Sequence, residues 1–185
     1  IPNGVTGIAG PCFDNAEKNN LKEVRIPDSV TEIGEAAFLS CRKLETVTIP
    51  NSVTTIGNYA FQNCRSLQII YLPDSVTKIG EYSFYDCKSL QIIAIPSSVC
   101  QIGIAAFGNT PWLEQQKNNS DFVIVNNILI SFGNQENVVV PKGVTTIIGD
   151  EEEHEGVKSI TIPDSVTTIG SNAFSSCISL TSVQL

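Results

Sequence analysis

The sequence lacks most of the residues from which catalytic and metal sites are built. Its 185 residues include no methionine, one histidine and one tryptophan. No Cys-x-x-Cys pair and no Gly-x-Gly-x-x-Gly loop occurs, which excludes the common zinc and dinucleotide patterns. A single histidine offers no recognisable arrangement of nucleophile, base and orienting group. We therefore predict no enzymatic activity, no catalytic residue, no metal and no cofactor.

Basic residues are scarce as well. Eleven Lys and Arg against nineteen Asp and Glu give a net charge of −8, which leaves no basic face for a row of phosphates. We therefore expect neither nucleic acid nor an anionic membrane surface as a partner. The longest uncharged stretch, residues 89–113, contains Pro96 and Pro111, so we predict no membrane-spanning helix. The first residues show no signal peptide, and we expect the chain to be a fragment of a longer protein.

In place of these features, the sequence has a repeat. An Ile-Pro type of dipeptide recurs along the chain, and three successive intervals between Ile26 and Ile95 are 23 residues long. The dipeptides are Ile1-Pro2, Ile26-Pro27, Ile49-Pro50, Leu72-Pro73, Ile95-Pro96, Val140-Pro141 and Ile162-Pro163. A segment of this length cannot bury a core alone, whereas stacked segments can. The sequence therefore predicts one α/β repeat solenoid of about eight coils over residues 1–185.

Each part of the repeat predicts a part of the coil. Leu44, Val47 and Ile49 alternate with Thr46 and Thr48, which is typical of a half-buried strand, and the following proline marks its end. A glycine after an isoleucine predicts a turn with positive φ. The Ala-Phe-x-x-Cys run that follows predicts a short helical or 3-10 turn with its phenylalanine stacked inside. These glycines and phenylalanines are Gly34, Gly57, Gly80, Gly103 and Gly170, and Phe38, Phe61, Phe84, Phe107 and Phe174.

The whole pattern resembles the leucine-rich repeats of the BspA type. The shared pattern is Ser-Val-Thr-x-Ile-Gly-x-x-Ala-Phe-x-x-Cys-x-Ser-Leu. It is nearly complete in the coils that start at Ile26, Ile49, Leu72 and Ile162. The resemblance implies a right-handed leucine-rich-repeat superhelix with a parallel sheet on its concave side. Repeats of this type occur in surface proteins of host-associated bacteria and some protists, and their implied use is binding rather than chemistry.

Two functions follow from this resemblance. The first is an extracellular adhesion module of a bacterial cell-surface or secreted protein, which binds a protein ligand such as host matrix or another microbe's surface. The alternative is a glycan-binding or structural spacer segment of a larger secreted protein with several domains. In the glycan alternative, Tyr71 and Trp112 are the candidate aromatic sugar platforms, and their separation in the array weakens this interpretation.

The candidate binding site lies on the outward side chains of the predicted strands. If the strand side is concave, an apolar patch with polar flanks is exposed in the middle of it, where a partner would dock. The other interpretation is that these side chains only satisfy β-propensity or pack under an insertion. The predicted ligand-binding residues are Thr46, Thr48, Ile69, Tyr71, Ile92 and Ala94.

Two segments depart from the repeat. In residues 109–137, two apolar runs flank Asn126-Asn127 and predict a β-hairpin within a variant structural coil, with a ligand site on Trp112 as the alternative. Residues 149–156 replace the Ala-Phe turn with five acids around His154. Because adjacent carboxylates lack the alternation of a calcium loop, we predict a solvated, mobile acidic loop whose carboxylates favour the protonated form of His154.

Four cysteines, Cys41, Cys64, Cys87 and Cys177, share one place in the coil. Neighbours in such a column would be close enough for a disulfide, but stacked side chains point the same way and three neighbours cannot all pair. We predict a column of buried free thiols that pack as small apolar groups.

Overall fold

The computed structural model describes residues 1–10, 12, 20–150 and 152–185. The chain divides into two compact units, Ile1–Gln115 and Gln116–Leu185, and each is built from stacked coils with parallel strands. The predicted fold class, a leucine-rich-repeat-like parallel solenoid with short turns, is confirmed.

Each regular coil of the first unit contributes two short strands rather than the one that the sequence predicted. The unpredicted strands form a five-stranded parallel sheet: β1 (Gly7–Ile8), β3 (Glu32–Ile33), β5 (Thr55–Ile56), β7 (Lys78–Ile79) and β9 (Gln101–Ile102). The predicted strands form two parallel pairs, β2 (Glu23–Arg25) with β4 (Thr46–Thr48) and β6 (Ile69–Tyr71) with β8 (Ile92–Ala94). In both sets the isoleucine or valine points inwards, as the period of two requires.

The turn segment between the two strands is fixed by alternating hydrogen bonds. The N–H groups of Ala36 and Phe38 donate to carbonyls of the next coil at 2.8 and 2.7 Å, whereas the N–H of Leu39 donates within its own coil to Ala36 at 3.1 Å. This alternation places Ala36 and Ser40 in the left-handed region, with φ of 54° and 62°. The same pattern recurs in the following coils, so the turn segments form a second hydrogen-bonded ladder along the unit.

The expectation that the repeated glycines adopt positive φ is wrong. Gly34, Gly57, Gly80, Gly103 and Gly170 all lie outside that region. Glycine is needed for a different reason in the first unit. A Cβ on Gly57 would lie 2.5 Å from the carbonyl carbon of Gly34, and one on Gly80 would lie 2.5 Å from the backbone nitrogen of Asn58. Stacked coils therefore approach so closely at this point that only hydrogen fits.

The core of the first unit is a stack of rings. Phe38, Phe61, Phe84 and Phe107 lie nearly parallel, with successive ring centroids 5.1, 5.3 and 5.9 Å apart, which confirms the predicted stack for these four. Phe174 belongs to the second unit, where it is half-buried and meets Phe132 edge-on at 6.2 Å.

Helix α1 (Pro111–Asn119) was not predicted from the sequence. Thr110 caps its first turn, since its Oγ1 accepts the N–H of Leu113 at 3.2 Å and donates to the carbonyl of Phe107 at 2.7 Å. A threonine N-cap followed by proline at the first helical position is a recognised helix start signal. It was missed because the segment was interpreted as a variant coil of the repeat.

The second unit contains the predicted β-hairpin around Asn126-Asn127. Strands β10 (Phe122–Val125) and β11 (Ile128–Phe132) are antiparallel, and Asn126 and Asn127 make the turn with φ of 49° and 65°. Parallel strands β13 (Thr146–Ile147) and β15 (Thr168–Ile169) extend this sheet. A separate parallel sheet contains β12 (Asn137–Val139), β14 (Ser159–Thr161) and β16 (Ser182–Gln184).

Candidate binding surfaces

The six predicted ligand-binding residues all point outwards from the three-residue strands of the first unit, a surface that we call the strand face. Ile69 is directly opposite Ile92 in the ladder, and Tyr71 is opposite Ala94. Tyr71 is 66% exposed, Ile92 48% and Ile69 40%, although all three are apolar or aromatic. The structure thus brings these four residues together as one apolar patch on β6 and β8.

Thr46 and Thr48 are also exposed, but they belong to a different hydrogen-bonded pair. Their strand, β4, is laddered to β2, where Glu23 and Arg25 are their partners. Strands β4 and β6 are neighbours without sharing a sheet. The two threonines therefore form the polar border of the apolar patch, and β2 continues that border with charged side chains.

Val139, on a corresponding strand of the second unit, is an exposed apolar residue that was not predicted from the sequence. Val139 is 62% exposed and pairs with Thr161. It directly precedes Val140-Pro141, and that position in the repeat would have identified it. Its surroundings are polar, since Ser159 Oγ donates to Asn137 Oδ1 at 2.7 Å and Thr161 Oγ1 donates to Gln184 Oε1 at 3.2 Å. Val139 therefore has no apolar neighbour across the ladder.

Trp112 is held by the core rather than displayed on the surface. It is half-buried, its ring meets Phe107 edge-on at 5.0 Å, and its backbone N–H donates to the carbonyl of Leu90 at 2.9 Å. This packing gives Trp112 a structural task at the end of the phenylalanine stack. It favours the variant-coil interpretation over a ligand site on this residue.

The acidic segment departs from the predicted solvated loop. Asp150 and His154 are buried, and His154 Nε2 lies 3.1 Å from Asp150 Oδ1. The His154 ring also stacks on Phe132 with centroids 4.1 Å apart, so this coil makes an aromatic contact although it lacks the repeat's phenylalanine. Glu153 and Glu155 are exposed, whereas Glu152 is tied to Lys117 at 2.8 Å. The prediction fails because the aromatic character of histidine and a paired carboxylate allow burial.

Glu151 of this segment lies outside the described residues. Within the described part of the chain, no three His, Cys, Asp or Glu side chains are grouped closely enough to hold a metal ion. No helix in that part of the chain is long and apolar enough to cross a bilayer.

The column cysteines are buried in the structure, as predicted. The Cys64 and Cys87 thiols donate to the carbonyls of Phe38 and Phe61 at 3.2 and 3.1 Å. Burial raises the pKa of Cys87 to about 12, and burial followed by the charges of Cys87 and Cys41 raises the pKa of Cys64 well above its usual value. Burial likewise raises the pKa of Cys177, and Asp150 adds to the effect. Thiols with raised pKa values are poor nucleophiles at neutral pH.

Comparisons with known proteins agree with this architecture. The family model described as the BspA type leucine rich repeat region matches residues 6–132 and 123–185, with six copies. No curated protein matches the chain in sequence.

Solved structures with similar folds come from several bacteria. The leucine rich repeat protein of T. pallidum is 27% identical with a TM-score of 0.62, and the alignment covers 97% of this chain and 74% of that one. The pneumococcal vaccine antigen PcpA is 19% identical with a TM-score of 0.51, which shows the fold alone, and 98% of this chain spans 56% of its length. Because the family match extends over nearly the whole sequence, the chain belongs to the BspA-type leucine-rich repeat family.

Proposed function

We propose that this chain is a non-enzymatic adhesion module of a bacterial cell-surface or secreted protein. In this proposal it binds a protein ligand, on host matrix or on another microbe, through the strand face. The observation that carries the proposal is the apolar patch of Ile69, Tyr71, Ile92 and Ala94, which is exposed on strands held in fixed register. The extracellular location and the absence of enzymatic activity rest on membership of a repeat family whose usual role is interaction.

The geometry of the patch suits a protein partner better than a small ligand. The four side chains lie side by side on two adjacent parallel strands, and protein interfaces commonly place an aromatic anchor at the centre of such a surface and polar residues at its rim. Tyr71 has the exposed ring for the anchor, and Thr46 and Thr48 supply the polar border. Complete burial of Ile69, Tyr71 and Ile92 by a partner would contribute on the order of 1 kcal/mol for each side chain.

The first test is binding of the chain and of its Tyr71→Ala/Ile92→Asp variant to a surface array of extracellular-matrix proteins and glycans. We expect protein-selective binding that falls at least about tenfold in the variant, because an aspartate in the patch must be desolvated on docking. The fold is expected to persist, since both side chains are exposed.

The matched control is Val139→Asp, which places the same charge on an exposed strand residue outside the patch. Binding should be unchanged in this control. Equal affinity of the wild-type chain and the Tyr71→Ala/Ile92→Asp variant would move the site away from the strand face.

The alternative function is glycan binding or a spacer role in a larger secreted protein. Tyr71 retains the exposure that a sugar platform needs, whereas Trp112 does not. Glycan-selective binding on the same array would favour the first alternative, and binding to none of its components would favour the spacer.

A further inference from the structure

A cluster of tyrosines lies on the turn segments of the first unit, away from its strands. Tyr59 and Tyr82 are stacked with centroids 5.3 Å apart and an interplanar angle of 5°, and Tyr85 meets Tyr82 at 5.5 Å and 68°. All three are half-buried. We call these residues the tyrosine cluster.

The fold does not require this cluster. Ala36 and Ala105 occupy the place of Tyr59 and Tyr82 in the flanking coils and share their left-handed backbone, with φ of 54° and 47° against 58° and 52°. In the second unit, the coil that starts at Ile162 has Asn172 at this place. The aromatic core is already complete without the tyrosines, because the phenylalanine stack fills it. The tyrosines are therefore an addition to a coil that folds without them.

Gly108 leaves the space that the third ring, Tyr85, occupies. The side chain of Tyr85 lies against Gly108, and a Cβ on that glycine would come within 2.7 Å of the ring. Since φ of Gly108 lies outside the left-handed region, its lack of a side chain is explained by the ring and not by backbone conformation.

The same turn segments carry cations, although the chain has a net charge of −8. Arg42, Arg65 and Lys88 occupy one place in three consecutive coils and are exposed, and we call them the basic column. Asp86 ties two of them together, with Oδ2 2.9 Å from Arg65 and Oδ1 2.7 Å from Lys88. Burial acts to raise the pKa of Asp86, but the hydrogen bonds from Lys88 and Arg65 outweigh it and hold the pKa below its usual value.

Two residues, Asp86 and Asn63, connect the segment of the tyrosine cluster with the basic column. Tyr85 immediately precedes Asp86, and its carbonyl accepts the N–H of Asn63 at 2.9 Å. Asn63 Oδ1 in turn accepts a hydrogen bond from the Arg65 guanidinium at 3.2 Å. The turn segments that carry the tyrosine cluster thus also carry the paired cations, on a backbone fixed by the inter-coil ladder.

We propose that this turn surface binds an acidic glycan, that is, a chain of pyranose rings bearing sulfate or carboxylate groups. The C–H faces of pyranose rings pack against aromatic side chains, which suits the tyrosine cluster. Sulfates and carboxylates accept charge-assisted hydrogen bonds from guanidinium and ammonium groups, which suits Arg65 and Lys88. Repetition of the cations at the coil spacing matches a ligand whose charges also repeat. This activity is separate from the proposed protein site, because it uses a different part of each coil.

The test is titration of the full chain with three oligosaccharides of equal length, followed by calorimetry. One is sulfated and derived from heparin, one carries only carboxylates and derives from hyaluronan, and one is neutral and derives from chitin. We expect binding of at least one acidic oligosaccharide, with an affinity that falls as salt rises. A preference for the first or the second identifies sulfate or carboxylate as the group recognised.

Two variants locate the site. Arg65→Gln/Asp86→Asn/Lys88→Gln removes the cations without leaving the aspartate unpaired, and we expect a loss of at least about tenfold. Tyr59→Ala/Tyr82→Ala gives these coils the residue that their neighbours already carry, and we expect a loss of about fivefold or more. The matched control is Lys142→Gln/Lys158→Gln/Glu136→Gln in the second unit. Like the first variant, it removes two cations and one carboxylate, including the ion pair between Lys158 and Glu136 at 3.2 Å. It should leave the affinity within about twofold of the wild-type value.

Four results would overturn the proposal. The first is no binding of either acidic oligosaccharide at millimolar concentration, and the second is equal binding of the neutral one. The third is an equal loss in the second-unit control, which would reveal only a response to total charge. The fourth is loss of glycan binding in the Tyr71→Ala/Ile92→Asp variant with retention in both turn-surface variants, which would place the glycan on the strand face.

Discussion

Each side chain of this repeat has counterparts at the same position in the neighbouring coils, and a departure from them has a cost or a benefit. The residue before each core phenylalanine is Ala37, Ala60, Ala106 or Ala173 in four coils, and it is Ser83 in the coil that starts at Leu72. Ser83 is fully buried, and within the described residues its hydroxyl has no hydrogen-bond partner. A buried hydroxyl without a partner costs free energy that an alanine at the same place does not.

We therefore expect Ser83→Ala to raise the free energy of unfolding by about 1 kcal/mol. Ser75→Ala is the matched control in the same coil, because the Ser75 hydroxyl donates to the carbonyl of Val53 at 2.6 Å. That change should lower the free energy of unfolding by a similar amount. Urea unfolding of the three proteins measures both effects, and destabilisation by Ser83→Ala would show that its hydroxyl has a favourable partner.

At the scale of the coil, the stacking distance is limited by glycine. The described coils of the first unit bring backbone so close to Gly57, Gly80 and Gly103 that a Cβ on any of them would lie within 2.5 Å of a neighbouring backbone atom. Backbone atoms held by two ladders cannot move aside as a flexible side chain can. Relief of the clash therefore requires two coils to separate.

This constraint predicts that Gly80→Ala lowers the free energy of unfolding by about 2 kcal/mol or more. Gly7→Ala is the control, because it also lies in a coil of the first unit but has no atom within 4 Å of the added Cβ. Its effect should be within about 0.5 kcal/mol of zero. Thermal unfolding of the two variants side by side measures the difference, and equal stability would mean that the coils separate without cost.

The alternation and the repeat of the sequence predicted some elements of the fold and gave no information about others. Alternation of apolar and polar residues placed Ile69, Tyr71 and Ile92 on the exposed side of their strands, since burial follows the period of two. The two-residue strands of the five-stranded sheet are too short to show a period. The repeated glycines of the first unit are required by the adjacent coil, about 23 residues away in sequence, whereas local sequence rules describe only the turn.

Residues outside the repeat were the hardest to interpret. His154 looked solvated because its neighbours in sequence are acidic, whereas its neighbours in space are Phe132 and Asp150. The tyrosine cluster was missed for a related reason. Tyr59, Tyr82 and Tyr85 are scattered along the chain, and only the stacking of coils brings their rings together. A cluster formed by contacts between coils is therefore harder to predict from the sequence than a surface formed along the strands.

At the scale of the whole molecule, a repeat array turns a single buried group into a column. Cys41, Cys64 and Cys87 are each fully buried in consecutive coils, so any charge on one of them would lie next to the other two. Because coils of a solenoid contact mainly their neighbours, ionisation in this column would weaken the first unit specifically. Trp112 is the only tryptophan and belongs to that unit, so its fluorescence reports on it.

We expect the first unit to lose stability as the pH rises from about 9 towards 12. In the folded chain Cys87 keeps its proton until its pKa of about 12, whereas in the unfolded chain it ionises near pH 9, so the unfolded state is favoured throughout that interval. The slope from this thiol is at most about 1.4 kcal/mol per pH unit, and Cys64 acts in the same direction. Urea midpoints followed by Trp112 fluorescence should therefore fall less steeply with pH in Cys87→Ala than in the wild-type chain. Cys100→Ala removes an exposed thiol and should leave the slope unchanged. Parallel slopes for Cys87→Ala and the wild-type chain would mean that the column is not the group that couples stability to alkaline pH.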